Sequence, residues 1–373
     1  MTCADAAAMA GPSSGTEPTG SAAPPSAPSS AEPPRRPLAL LVNDDGVHAP
    51  GLKALAAALV RRAFDVLVVA PASNQSGCSQ SISLGPKLQL LSVQMDDDWN
   101  VASPKAAGQV LGVYSVSGRP ADAAYLAVNH VLPVLHGHQA DIILSGINDD
   151  ANLGSDVFYS GTVGAAMCAH LQLRDNRSRV LVPALAISLA VNGSGAHPRP
   201  KGPLNFGPAA HWAADLAHAV LSRRDLWHCV LNVNVPWWLD EKGLSSTDPV
   251  LVHTGHTEYT DPLLRDEDGR GTWRIMGRKL CHRGEGSDCH EFLEGRVTIT
   301  PLRTRNLFCH DSGKVLCGVE LSHGRRISAS RAMLAQPSWL ISTHATAFAA
   351  GAASGVLGAC VLWKLLSGET RGK

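Results

Sequence analysis

The chain is predicted to be an α/β protein with a mainly parallel, doubly wound sheet, followed by an α+β extension built of hairpins. Two observations support this. Short, nearly continuous apolar runs alternate with helically spaced segments from Leu38 to about residue 237, the pattern of strands buried on both faces between crossover helices. After residue 237 the pattern changes to short β-like runs at Val250–His253, Thr272–Met276 and Arg296–Leu302, joined by Gly- and charge-rich loops.

The first unit is LALLVNDDGVHAPG, Leu38 to Gly51. Leu38, Leu40, Leu41 and Val42 make a buried strand that runs into Asn43-Asp44-Asp45-Gly46, where two carboxylates meet a residue that tolerates positive φ. Pro50 suits a first helical position, and Leu52, Leu55, Ala56, Leu59 and Val60 follow at helical spacing. In an open α/β sheet ligands bind beyond the carboxyl ends of the strands, so Asp44 and Asp45 stand where chemistry is expected. On these residues alone, an ordinary Asp-Gly chain turn fits as well as a metal site.

A second buried strand is predicted over Asp65–Ala70, ended by Pro71 and followed by the small polar loop ASNQSGCSQSISL, which includes Ser76. Residues 86–116 read as β-rich, with an excursion opened by the solvated triplet Asp96-Asp97-Asp98. Ser117-Gly118-Arg119-Pro120 turns the chain into a helix from about Ala121. Ile142–Leu144 form the next strand, ending at Ser145-Gly146. Asn148, Asn152 and Gly154 follow, and then Ser160-Gly161-Thr162 opens an Ala-rich helix. Hydroxyls and unsatisfied N–H groups at a helix start offer a cradle for phosphate. Packing alone calls for small residues there, not for two Asn and three hydroxyls. A strand at Pro183–Leu189, a loop at Asn192–Pro208, a helix at His211–Arg223 and a strand at Val230–Val235 complete the alternation.

Composition narrows the function. The 373 residues are 45% hydrophobic and 17% charged, with 32 Lys+Arg against 32 Asp+Glu. No global field recruits nucleic acid, and any phosphate recognition is local. Nine scattered Cys without CxxC pairs or a secretory leader predict reduced thiols in a cytoplasmic setting. Cys281-His282, Cys289-His290 and Cys309-His310 match no common zinc spacing. Residues 1–37 lack Val, Ile, Leu, Phe, Trp and Tyr and are expected to be a disordered arm, with a transit peptide the weaker option because Asp5, Glu17 and Glu32 are acidic. Trp339–Trp363 contains no Asp, Glu, Lys or Arg, and it is expected to be either a membrane anchor or a helix packed on the protein itself.

Asp44-Asp45, the Ser76 loop and Asn148 each follow a predicted buried strand and therefore share one sheet edge. Two carboxylates, a hydroxyl and a carboxamide are hard oxygen donors suited to Mg²⁺, Mn²⁺ or Ca²⁺. A cation beside a Ser/Thr/Gly cradle is what phosphate-ester hydrolysis needs.

Taken in order, NDDGVHAPG, APASNQSGCSQSISL, SGRPAD, SGIN, YSGTVGAA, PALAISL, LNVNVP and EGRVTITPL resemble the SurE-like survival-protein family of metal-dependent nucleotidases and acid phosphatases. The resemblance covers roughly residues 38–305. It implies a Rossmann-like three-layer α/β/α domain whose extension, 238–305, mediates dimer or tetramer formation, with 306–373 a separate tail. It further implies one divalent cation per subunit, Mg²⁺ or Mn²⁺, on Asp44, Asp45, Ser76 and Asn148. Catalysis falls to Asn43, Asp44 and Asp45, and phosphate binding to Asn152, Ser160, Gly161 and Thr162. The implied reaction is hydrolysis of nucleoside 5′- or 3′-monophosphates. Two departures stand out: Ala72 where the family typically has Asp, and Asp149-Asp150 in the loop after SGIN, where a glycine is usual. Two extra carboxylates there would repel substrate, recruit a second cation or point to solvent. A non-catalytic, membrane-tethered phosphate- or nucleotide-binding protein on the same fold is the alternative from a different class. A dinucleotide-binding oxidoreductase lacks its GxGxxG turn.

Overall fold

The computed structural model describes residues 35–95, 99, 108–173, 181–191, 199–223, 226–260, 263–265, 272–275, 278–303 and 328–329. The expectations for the N-terminal arm (1–34), the triplet 96–98, the stretch 192–198, Cys309-His310 and Trp339–Trp363 lie outside them. Among the described residues, no helix is long and apolar enough to cross a membrane.

The apolar runs form the middle of a ten-stranded sheet. In chain order its central strands are β1 (Leu38–Val42), β2 (Asp65–Pro71), β3 (Leu90–Ser92), β4 (Val110–Val116), β5 (Ile142–Asn148), β6 (Ala184–Ala190) and β7 (Cys229–Pro236). Six of them lie parallel in the order β4-β2-β1-β5-β6-β7, and β3 closes one edge antiparallel to β4. β1 therefore has β2 on one side and β5 on the other, so the winding reverses between β1 and β5. A crevice opens at such a reversal, beyond the carboxyl ends of the two strands.

Helices cover both faces. α1 (Pro50–Arg61) and α4 (Gly207–Leu221) bury Leu52, Leu55, Leu59, Trp212, Leu216 and Val220 in one core with Leu41, Val68 and Leu144. α2 (Pro120–Leu126), continued by a π-helical stretch over Ala127–Leu135, and α3 (Gly161–Gln172) form the other core with Leu40, Val42, Leu67 and Ile143. Successive β1 residues thus alternate between two apolar layers, which is why that strand carries no polar residue. Truncating fully buried Leu40 or Leu41 to Ala would cost about 2–5 kcal/mol.

Two boundaries differ from the sequence reading for identifiable reasons. β5 does not end at Ser145-Gly146 but continues to Asn148. Gly146, at φ +126°, carries the strand through a register irregularity against β6, and a Cβ there would lie 2.2 Å from the Ile187 carbonyl oxygen. α4 starts at Gly207 rather than His211 because Pro208 sits in its first turn, where a missing N–H costs nothing.

Beyond β7, the chain forms α5 (Glu241–Ser246), β8 (Val250–Leu251), β9 (Thr257–Thr260), β10 (Leu263–Arg265), β11 (Trp273–Ile275), β12 (Arg278–Cys281), α6 (Asp288–Leu293), β13 (Thr298–Arg303) and β14 (Ser328–Ala329). β13 returns antiparallel to β7, and β8 and β14 extend that edge. β9 pairs with β12 and β10 with β11, both antiparallel, as two successive rungs of a hairpin arm.

The loop after β2 is tied to α2 by one buried carboxylate. Asp122 accepts hydrogen bonds from the Ser83 amide (2.8 Å), the Ser83 hydroxyl (2.7 Å) and the Arg119 amide (2.8 Å). Asp122→Ala strands those donors, and urea unfolding should give a loss of about 1–3 kcal/mol. An unchanged midpoint would mean that water replaces the carboxylate at no cost.

Candidate active site at the β1/β5 crevice

The turn after β1 is closed by its own side chains. Asn43 is fully buried and donates from its amide to the Gly46 carbonyl at 2.9 Å. The loop after β2 is stitched to this turn. The Gln75 amide donates to the Asp44 carbonyl (2.7 Å), the Asn74 side chain donates to Asp45 Oδ1 (3.1 Å), and the Ser76 amide donates to Asn74 Oδ1 (2.9 Å). Ser76 thereby lies one residue beyond the strand–loop stitch, exposed at a polar cavity that it shares with Cys78 and Arg119.

Asp44 faces the start of α3. The Thr162 hydroxyl donates to Asp44 Oδ1, and the Thr162 amide also bonds to that carboxylate. At Gly161 a Cβ would lie 2.8 Å from Asp44 Oδ2, so only glycine lets the helix come this close. The positive end of α3 thus meets a buried carboxylate of the chain itself. Ser160 caps the helix by accepting the Val163 amide at 3.1 Å, which leaves its hydroxyl proton available. Of the three residues expected to cradle phosphate, Thr162 has its hydroxyl proton committed to Asp44, while Ser160 and Gly161 do not.

Asn148 ends β5 and donates from its amide to the Asp150 carbonyl at 2.7 Å, leaving its side-chain oxygen as an acceptor. The loop that follows is pinned to the sheet from below. Asn152 donates from its amide nitrogen to the Ser188 hydroxyl (2.8 Å) and from its backbone to Asn234 Oδ1 (2.8 Å). Its carbonyl accepts from Asn232 (2.8 Å) and Asn234 (3.1 Å). Further along, the Gly154 amide donates to Asp288 Oδ2 at 2.9 Å. Asn152 is accordingly an anchor of the loop as well as a neighbour of the crevice. Ser188, Asn232, Asn234 and Asp288 were not among the residues singled out from the sequence. The signal for two of them was available, as Asn at alternate positions of the buried run VLNVNVP.

The two added carboxylates have separate fates. Asp149 pairs with Arg199, which donates to Asp149 Oδ2 at 3.0 Å and to its carbonyl at 3.4 Å. Asp150 folds back and accepts the Ala151 amide at 2.7 Å.

Electrostatically, the crevice is short of positive charge. Burial, opposed by the bonds from Thr162, raises the Asp44 carboxyl above its ordinary value. Asp45 is pushed up to about 7, first by burial and then by the charges of Asp44 and Asp149. Two adjacent carboxylates that resist ionising in the absence of a counter-charge fit a bound cation. Among the described residues, no group of three or more His, Cys, Asp or Glu is arranged to hold a metal. The donor set fits nonetheless, because its other two members, the Ser76 hydroxyl and the Asn148 carboxamide oxygen, are neutral hard oxygens of the kind Mg²⁺ and Mn²⁺ accept.

The raised pKa values set a pH dependence. Between about pH 4 and 7 folded Asp45 keeps a proton that the unfolded chain has released, so the cation-free protein loses stability as pH rises through that window. A cation that displaces the proton should raise the melting temperature more at pH 7.5 than at pH 5.5. Thr162→Val removes a bond to the charged carboxylate worth about 1.5–3 kcal/mol and should weaken cation binding about ten- to a hundredfold, whereas Thr162→Ser keeps it. Calorimetric titration with Mn²⁺ checks both, and equal affinities for the Val and Ser variants would exclude the role given to this hydroxyl.

Comparison with known proteins bears on the family of the chain. Residues 39–260 match the family model described as survival protein SurE. A protein of Geobacter sulfurreducens named 5′-nucleotidase SurE is 35% identical over 266 residues, covering 70% of this chain and 86% of the relative. A protein of the same name from Vibrio parahaemolyticus is 34% identical over 282 residues, covering 74% of this chain and 92% of that one. The crystal structure of the SurE protein from Aquifex aeolicus superposes with a TM-score of 0.54 at 28% identity, over 74% of this chain and 97% of that chain. With more than half its length matched by the family model and the NDDG, SGIN and YSGTV segments meeting at one crevice, this chain belongs to the SurE family.

Proposed function

We propose that the chain is a divalent-cation-dependent phosphomonoesterase that hydrolyses nucleoside 5′-monophosphates to nucleoside and inorganic phosphate. The observation that carries this reading is the pair at the reversal of the sheet, Asp44 buried and Asp45 half-buried beside it, with Asp45 pushed up to about 7 by desolvation and by the charges of Asp44 and Asp149. The activity in the names of the relatives, 5′-nucleotidase, supports the same reaction.

In this reading Asp44, Asp45, Ser76 and Asn148 hold one Mg²⁺ or Mn²⁺. When bound, the cation supplies Lewis acidity toward a phosphoryl oxygen and activates water. The residues around it have distinct tasks. Asn43 closes the turn that sets Asp44 and Asp45 side by side. Thr162 opposes the burial that raises the Asp44 pKa and fixes the carboxylate's orientation. The Ser160 hydroxyl and the first-turn amide of Gly161 donate to phosphate oxygens, where the helix dipole favours the charge that develops in the transition state. Asn152 keeps the loop beneath the phosphate rigid and has one amide hydrogen left for it.

Phosphate release from AMP by the full chain, with and without Mn²⁺ after chelation, tests the reaction. Losing an outer partner of a metal site typically costs about ten- to a hundredfold, so Asp44→Asn and Asp45→Asn should each lower kcat/KM by at least about a hundredfold. Unchanged rates in both variants, or phosphate release that ignores the chelator, would overturn the assignment.

The hairpin arm carries self-association in the same proposal. Leu263, Trp273 and Ile275 are exposed on β10 and β11, and Ile275 is 88% exposed. Large apolar side chains displayed together on a two-stranded arm are suited to cover by a second copy. Light scattering should find a dimer or tetramer that Trp273→Asp with Ile275→Asp reduces to a smaller species. An unchanged mass would assign the contacts to another surface.

A further inference from the structure

We propose that Arg199, held in place by Asp149, is a specificity-determining residue that forms the charged wall of the pocket receiving the leaving group, and that this pocket selects phosphomonoesters of a planar, hydrogen-bond-accepting ring system such as a nucleoside. The inference rests on the phosphomonoesterase reading and adds to it where the leaving group goes and what recognises it.

Asp45 lines a cavity of about 380 Å³ together with the start of α1 and the segment leading into α4. That volume falls at the small end of the range for ligand sites, about 300–1,000 Å³, and suits a ligand of one ring system and a sugar better than a long chain. Ile147, Pro203, Leu204 and Phe206 give the cavity apolar lining, and Asn74, Asp149 and Arg199 join Asp45 in its polar lining. A phosphate bound beside the cation at Asp45 therefore has an apolar slot next to it here, whereas the described lining of the neighbouring cavity around Ser76 and Arg119 is mainly polar. An inorganic or small aliphatic leaving group gains nothing from such a wall, whereas a flat ring does.

Among the described residues lining that cavity, Arg199 is the only cationic side chain. Its contact with Asp149 is exposed, at 49% and 53%, and an exposed pair stabilises a fold by only about 0–1 kcal/mol. Fold stability thus gives little reason for the pair. Its geometric effect is larger. Two N–H groups go to Asp149 Oδ2 and to the Asp149 carbonyl, which fixes the plane of the guanidinium. The remaining three N–H donors and the guanidinium face are left for a ligand, and a guanidinium both stacks on rings and donates to their acceptor atoms. Asp149, one residue from Asn148, is also brought next to a counter-charge, which offsets part of its repulsion toward the substrate phosphate.

The test compares two substrates and two product inhibitors on the full chain with Mn²⁺. AMP reaches the pocket and glycerol 2-phosphate does not. Adenosine occupies the pocket without the phosphate site, and inorganic phosphate does the reverse. In Arg199→Ala the preference for AMP over glycerol 2-phosphate in kcat/KM should fall about tenfold, the loss of one charge-assisted contact, and the inhibition constant of adenosine should rise by a similar factor. If Arg199 only screens Asp149, both substrates and inorganic phosphate weaken together, the preference stays the same, and Asp149→Ala with Arg199→Ala restores all of them. That result would overturn the proposal. A second variant works by filling the pocket. Gly202 lines the cavity, and a Cβ there meets nothing within 4 Å, so Gly202→Trp adds bulk without disturbing the backbone. It should abolish adenosine inhibition, and retained inhibition would likewise overturn the proposal. A wild-type chain that releases phosphate from neither substrate would instead sink the phosphomonoesterase reading. Binding of adenosine, followed by ligand-detected NMR in wild type and Arg199→Ala, then still decides whether the pocket and its arginine recognise a nucleoside.

Discussion

The contact on which the rest of the site depends is that between Asp44 and the first turn of α3. A buried carboxylate is costly unless charge or hydrogen bonds compensate it, and here the compensation comes from the Thr162 hydroxyl and amide at the positive end of a helix. Three features follow from it. Residue 161 must be glycine, because a Cβ would enter the carboxylate. The helix must be preceded by a self-sufficient cap, which Ser160 provides. The chain from Asn148 to Tyr159 must span from the end of β5 to that helix without slack, and buried bonds to Ser188, Asn232, Asn234 and Asp288 remove the slack. One hydrogen-bonded contact thereby locates β1, β5 and α3 relative to one another at the reversal of the sheet.

The partial compensation is as informative as the contact. Thr162 lowers the Asp44 pKa, yet burial still leaves it raised, and Asp45, with burial and two like charges against it, is pushed up to about 7. A fold selected only for stability would place a lysine or arginine there, or dispense with one carboxylate. Keeping both leaves a crevice short of positive charge, which the proposed cation on Asp44, Asp45, Ser76 and Asn148 would supply. In that proposal the cost falls on the cation-free protein and loading would offset it, coupling occupancy to stability.

Much of this was legible in the sequence because the signals were local. Buried strands showed as apolar runs, and the acidic turn, the Ser/Gly loop and SGIN each followed one, so a shared edge could be inferred before any strand order was known. The reversal between β1 and β5 was not legible, since pairing is set by contacts far apart in the chain. Nor was the continuation of β5 past Gly146, because a glycine in a strand pattern usually marks its end, and only the Ile187 carbonyl packed against it explains its presence. The role of Thr162 was hidden by its position. A hydroxyl at a helix start reads as an offer to an external anion, and the anion it serves is Asp44, 118 residues earlier. Asn232 and Asn234 were visible as polar residues in a buried strand, but their partner Asn152 lies in another loop, so the sequence marked them as unusual without saying why.

Asp149 and Asp150 show the same limit from the side of charge. Counted in sequence, they place two more negative charges next to a site for a dianion. In the folded chain Asp150 bonds the next amide, and Asp149 meets Arg199, a residue from a Gly/Pro-rich stretch with no motif of its own. The compensating cation could not be found by spacing, because it reaches the site across the crevice from the segment that leads into α4. In this chain the centre is carried by strand ends and a helix start, while the charge balance at its mouth is set by loops, the part of a fold that generally tolerates most change. Where such a loop brings an arginine to the edge of an apolar slot, it changes which esters fit without altering the groups that hold phosphate, and selectivity can change while the chemistry stays the same.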